Sequence, residues 1–128
     1  MKTSELTGAA LIWAVATCEG YTDYDGDTEK MLPPRKEYGW VSLCDLDYDT
    51  WEKCGPIIER EKITLDYDFD GQGLSLWTAR KYAFDGTLLF AEFGETPLVA
   101  AMRCFCASRL GDEVDVPAEL AALVKGRH

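Results

Sequence analysis

Asp66, Asp68 and Asp70 alternate with Tyr67 and Phe69 and run into Gly71. Acids at the first, third and fifth positions with glycine at the sixth open a calcium-binding loop, whose twelfth position must supply a bidentate Glu. Here that position is Trp77, and a strand rather than a helix is expected around it. The run therefore reads as a charged hairpin, and no metal is expected. Two further clusters, Tyr21 to Asp27 and Asp45 to Trp51, also mix carboxylates with aromatics. Regular negative charge beside stacking surface could imitate a nucleic acid, although such charge more often keeps strand edges from pairing with other chains.

Other chemistry is sparse. The only histidine is His128, and Cys18, Cys44, Cys54, Cys104 and Cys106 include no Cys-x-x-Cys pair. Zinc sites want closely spaced ligand pairs, so these cysteines read as reduced core thiols. Ser-His and Cys-His pairings, glycine-rich phosphate loops and nucleophile elbows are all missing from the sequence. No catalytic residue and no cofactor is expected, and an enzyme is the weakest of the functional classes.

Residues 51–61 (Trp-Glu-Lys-Cys-Gly-Pro-Ile-Ile-Glu-Arg-Glu) are more informative. Gly55-Pro56 reads as a rigid turn, Ile57 and Ile58 as its anchors, and Glu59 with Arg60 as a projecting charge pair. Trp51 adds a stacking surface. Arg103 is the one charge in the apolar run Leu98 to Ala107. It either pairs with a carboxylate such as Glu59 or lines a pocket that takes an anion. The pocket reading is taken here: Trp51, Gly55, Pro56, Glu59, Arg60, Trp77 and Arg103 are expected to form a ligand site.

These groups must be held by elements that the pattern of apolar residues predicts. Leu6, Ala9, Ala10, Trp13 and Ala16 recur at helical spacing, so a helix is expected over 5–18, capped by Thr3 or Ser4 and closed by Gly20. A signal peptide is mimicked by Lys2 and the run Ala9 to Ala16, but Glu5 and the shortness of the run favour the helix. Residues 21–38 read as a loop, and 39–43 as a short strand. Alternation predicts strands over 63–67 and 74–82, joined by a hairpin turn at 70–73, and a third over 88–93. Thr96, Pro97 and Gly111 punctuate a helix through Arg109, and Pro117 opens a last one over 118–125. The expected fold is α+β: an antiparallel meander of three or four strands packed against an N-terminal and a C-terminal helix.

At 128 residues and 47% hydrophobic composition the chain suits one folded, soluble domain, here 1–128 with a loop-rich acidic insertion at 21–50. No apolar run reaches the roughly 18 residues that span a bilayer, so no membrane is expected. A formal charge of −10 repels phosphate backbones and argues against direct nucleic-acid binding.

Three stretches carry a resemblance: Met1 to Leu11 with Trp13 to Ala16, Cys54 to Glu61, and Thr96 to Phe105 with Ala107 to Asp112. Together they resemble the NinX-like proteins of lambdoid phages, a family of no established activity. Cys54 departs from that pattern, which usually has glycine before Gly55. The resemblance implies a phage or prophage origin, the host cytoplasm as location, and a gene among nonessential accessory functions where recombination and counter-defence roles are common. The expected function is a non-enzymatic accessory protein that binds a small anionic or nucleotide-like host ligand, sequestering an immune signal. Trp51 and Trp77 would stack a base while Arg60 and Arg103 meet phosphate. The rival is an acidic protein–protein inhibitor or nucleic-acid mimic acting on a basic host protein, such as a defence protein. An uncharacterised enzyme is the second alternative, and self-association stays open.

Overall fold

The computed structural model describes residues 1–69 and 75–125. The chain runs through helix α1 (Gly8–Cys18), strands β1 (Thr22–Asp25), β2 (Lys30–Leu32) and β3 (Val41–Ser42), and helix α2 (Trp51–Glu61). Strands β4 (Thr64–Phe69), β5 (Ser75–Tyr82) and β6 (Leu88–Gly94) follow, then helices α3 (Pro97–Leu110) and α4 (Ala118–Lys125). The strands make two three-stranded antiparallel sheets, ordered β1-β2-β3 and β4-β5-β6. This is the α+β class that the sequence predicts. The predicted turn at 70–73 lies outside the described residues.

Local chemistry explains most boundaries. The Thr96 hydroxyl accepts from the Val99 N–H at 3.1 Å, Pro97 takes the first helical position, and the chain leaves α3 at Gly111, whose φ is +86°. Gly20, at φ +99°, ends α1 while the Tyr21 N–H donates to the Ala16 carbonyl. Only glycine enters that left-handed region without strain. The start of α1 differs from expectation. Thr3–Glu5 forms a separate 3-10 turn, and the Thr3 hydroxyl donates to the Gly111 carbonyl instead of capping a helix.

Two elements correct the sequence reading. Residues 21–38 are not a bare loop: Asp25 accepts from the Asp27 N–H and the Thr28 hydroxyl, closing a turn between β1 and β2. Met31 of β2 is buried and anchors that sheet. Strands this short leave no readable alternation. The short strand expected at 39–43 narrows to Val41–Ser42 and pairs with β2, not with the later strands, so the single expected meander is two sheets.

Residues 51–61 form a helix and not a turn. Pro56 lies inside it and forfeits one backbone hydrogen bond. The helix forms nonetheless because Thr50 caps it, accepting from the Lys53 N–H, and because Cys54, Ile57 and Glu61 are buried along one stripe. That stripe, with Ile58, follows the spacing i, i+3, i+4, i+7.

α3 is the centre of the core. It packs on α1 on one side and on β5 and β6 on another. Ala100, Ala101, Met102, Cys104, Phe105 and Cys106 are all buried, which is why this helix shows no polar face. Gly94 lets β6 approach it: a Cβ there would stand 2.5 Å from the Ala100 nitrogen.

Candidate functional site

Gly8 begins α1, Trp51 begins α2 and Pro97 begins α3, and all three line one cleft of about 330 Å³. Its walls are apolar: Leu11 and Ile12 from α1, Leu98, Val99 and Met102 from α3. Tyr48, Asp49 and Trp51 supply the aromatic and polar edge, and Trp51 is 55% exposed. A second hollow of about 350 Å³ shares Gly8, Ile12 and Asp49 with the first and continues past Glu29, Cys44 and Leu120.

Electrostatics at the cleft are mixed. Each helix start carries roughly half a positive charge from its unpaired amides. Side chains of Thr50 and Thr96 cap α2 and α3, whereas Thr7 makes no such bond to α1. The α1 amides are thus the least satisfied donors at the cleft. Asp49 is exposed and adds an acceptor of opposite sign. Burial raises the pKa of Tyr48, reinforced by Tyr21 and Glu19, so its phenol stays protonated. The Cys54 thiol donates to the Tyr48 carbonyl at 3.0 Å and fixes this loop against α2. Burial pushes that thiol to about 11, which leaves it without nucleophilic character at neutral pH.

Of the residues expected to converge, the structure brings only Trp51 to the cleft. Pro56 and Glu59 lie on the solvent side of α2, and Gly55 is half-buried there with open space beside it. Trp77 packs on Tyr67 in the second sheet, ring centres 5.1 Å apart. Arg60 donates to Glu61 at 3.0 Å and to Glu19 at 3.1 Å, with its guanidinium 5.5 Å above the Phe105 ring. Arg103 does not pair with Glu59 and lines neither of these two hollows. It donates to two backbone carbonyls, Leu6 and Phe93, both at 2.8 Å. Arg103 and Phe105 stand two apart on α3, about 200° around the axis, so the two arginines lie on opposite sides of that helix.

The acids of the calcium-like run also have internal uses. Asp66 accepts from Arg80 at 2.7 Å, and Asp68 accepts from the Thr78 hydroxyl. Among the described residues no three histidine, cysteine, aspartate or glutamate side chains are grouped to hold a metal ion. Three of the five cysteines are core thiols as expected, but Cys44 is exposed and Cys18 half-buried.

Sequence reasoning missed Glu61. It is almost fully buried and accepts from Arg60, Lys81 and Arg109 at 3.0, 2.8 and 2.9 Å. Burial by itself would raise its pKa, but the three donors outweigh burial and hold it at about 2. The signal was its place at i+7 in the Cys54–Ile57–Ile58 stripe. The cleft walls, by contrast, come from three distant segments and carried no local signal.

Residues 2–109 match the protein family described as Bacteriophage P22, NinX. No curated protein matches the chain.

Proposed function

Because the chain belongs to the Bacteriophage P22 NinX family, we propose that it is a non-enzymatic phage accessory protein that holds a small nucleotide-like host ligand in the cleft at the start of its three longest helices. Capturing a host nucleotide would blunt a signal raised against infection. The carrying observation is the cleft itself: about 330 Å³, walled by aliphatic side chains, with Trp51 at its lip and Asp49 beside it. That volume falls within the usual range for small-ligand sites, which combine apolar walls with a few polar groups.

The roles differ from those expected of the arginines. The ligand's planar body lies against Trp51, Leu98 and Met102, and a ring amine donates to Asp49. The uncapped amides at the start of α1 favour an anionic group there. Arg60 and Arg103 are occupied within the fold and take no part.

Thermal melts in the presence of nucleoside monophosphates and cyclic dinucleotides test this reading. At least one should raise the melting temperature by several degrees, and Trp51→Ala should remove that shift while leaving the unliganded melt nearly unchanged. If none of these compounds shifts the melt at millimolar concentration, the nucleotide reading is wrong.

A further inference from the structure

A second surface is independent of the cleft. α3 covers one face of the second sheet, where Ala79 and Gly94 are buried. Among the described residues no other helix packs broadly on this sheet, and the opposite face is left open. Along that face and its β5–β6 turn, Tyr82, Phe84, Leu88, Leu89 and Phe93 are exposed, Phe84 completely and the others to about half. A register shift between Lys81 and Tyr82 sets Leu88 opposite Tyr82, next to Leu89. At roughly 200 Å² for a fully exposed side chain of this size, the five present on the order of 600 Å². That equals the largest apolar patch usual on a monomer and approaches the roughly 800 Å² per partner of a standard interface.

The charge around the patch selects the occupant. Asp85 lies in the same turn as Phe84, and Glu95 directly follows β6; both are exposed. Across the sheet Asp66 and Asp68 share the single guanidinium of Arg80, two carboxylates against one cation. The rim is therefore negative, on a chain whose formal charge is −10. A second copy would bring acid against acid. A partner with an apolar centre ringed by lysine and arginine would meet complementary charge, which raises the rate of encounter and suppresses wrong partners. Proteins that hold nucleic acid present surfaces of this kind, basic with aromatic or apolar groups between.

We infer that the open face of the β4-β5-β6 sheet, centred on Phe84, Leu89 and Phe93, docks a basic protein surface of the nucleic-acid-binding kind. The inference does not rest on the ligand cleft. Trp51 belongs to the cleft, so Trp51→Ala should leave docking intact and lets the two readings fail separately.

The test places a photo-crosslinking benzoylphenylalanine at Phe84 in the full chain, produced in infected host cells. Adducts are identified by mass spectrometry, and the protein found is purified and titrated against the wild-type chain. The expected result is one adduct with a basic protein. Its affinity should fall with added salt, by about tenfold or more in Phe93→Asp, and in Asp85→Lys as well. Phe93→Asp should keep the wild-type melt, since that side chain is half exposed, and Asp85→Lys should lower it only slightly, through loss of the bond that Asp85 accepts from the Thr87 N–H at 2.9 Å. A covalent dimer of this chain, an acidic adduct, no adduct, or affinity indifferent to both substitutions would overturn the inference.

Discussion

Arg109 donates to Glu61 at 2.9 Å across 48 residues of chain. The contact ties the last turn of α3 to the end of α2, and Lys81 adds β5 to the same carboxylate. Arg60 and Arg109 also each lie 5.5 Å above the Phe105 ring. One buried acid therefore joins three elements around Phe105, the largest fully buried side chain among the described residues.

This carboxylate makes stability depend on acid. Its folded pKa of about 2 lies below the ordinary 4.5. A depressed carboxylate stabilises fully above its unfolded pKa, and the contribution disappears as pH falls from about 4.5 toward about 2. Urea denaturation at stepped pH should show a loss of roughly 2–3 kcal/mol across that window. Glu61→Gln should lower stability at pH 7 by a similar amount and flatten the acid limb. An acid limb unchanged in the variant would show that other carboxylates govern it.

Arg103→Ala removes two charge-assisted bonds and leaves the Leu6 and Phe93 carbonyls without their donor. Burial lowers the pKa of this guanidinium, while Glu92 and Glu95 favour its charge. The expected cost is about 2–4 kcal/mol by urea denaturation. Arg103→Lys should recover only part, because an ammonium lacks the planar fork that reaches both carbonyls. An unchanged midpoint in the alanine variant would restore the pocket role.

Two glycines should respond with opposite signs. Gly94→Ala drives a methyl to 2.5 Å from the Ala100 backbone nitrogen and should cost about 1–3 kcal/mol. Gly55→Ala has nothing within 4 Å and stands inside α2. It should stabilise by about 0.5–1 kcal/mol, since alanine is the better helix residue. Paired thermal melts read both.

Calcium should leave the melting temperature unchanged at millimolar concentration. Asp66 is already engaged by Arg80, and Asp68 by Thr78. A shift of several degrees would mean that the ion displaces these partners.

Thr96, Pro97 and Gly111 were enough to place α3, and Gly20 the end of α1, because caps and positive φ are decided by the residues themselves. Alternation over β4, β5 and β6 likewise made these strands legible, since each side chain reports its own face. Gly55-Pro56 misled for the opposite reason. Its local preference for a turn is overridden by burial of Cys54 and Ile57 and by the partners that Glu61 finds on β5 and α3. The arginines were visible as unusual charges, yet their roles depend on which carbonyls and carboxylates the fold carries to them. Trp51 could be named from its type alone. The cleft it borders could not, because residues 8–12, 48–51 and 96–102 meet only through the packing of α1 and α2 on α3, and no periodicity along the chain encodes a distance between segments so far apart.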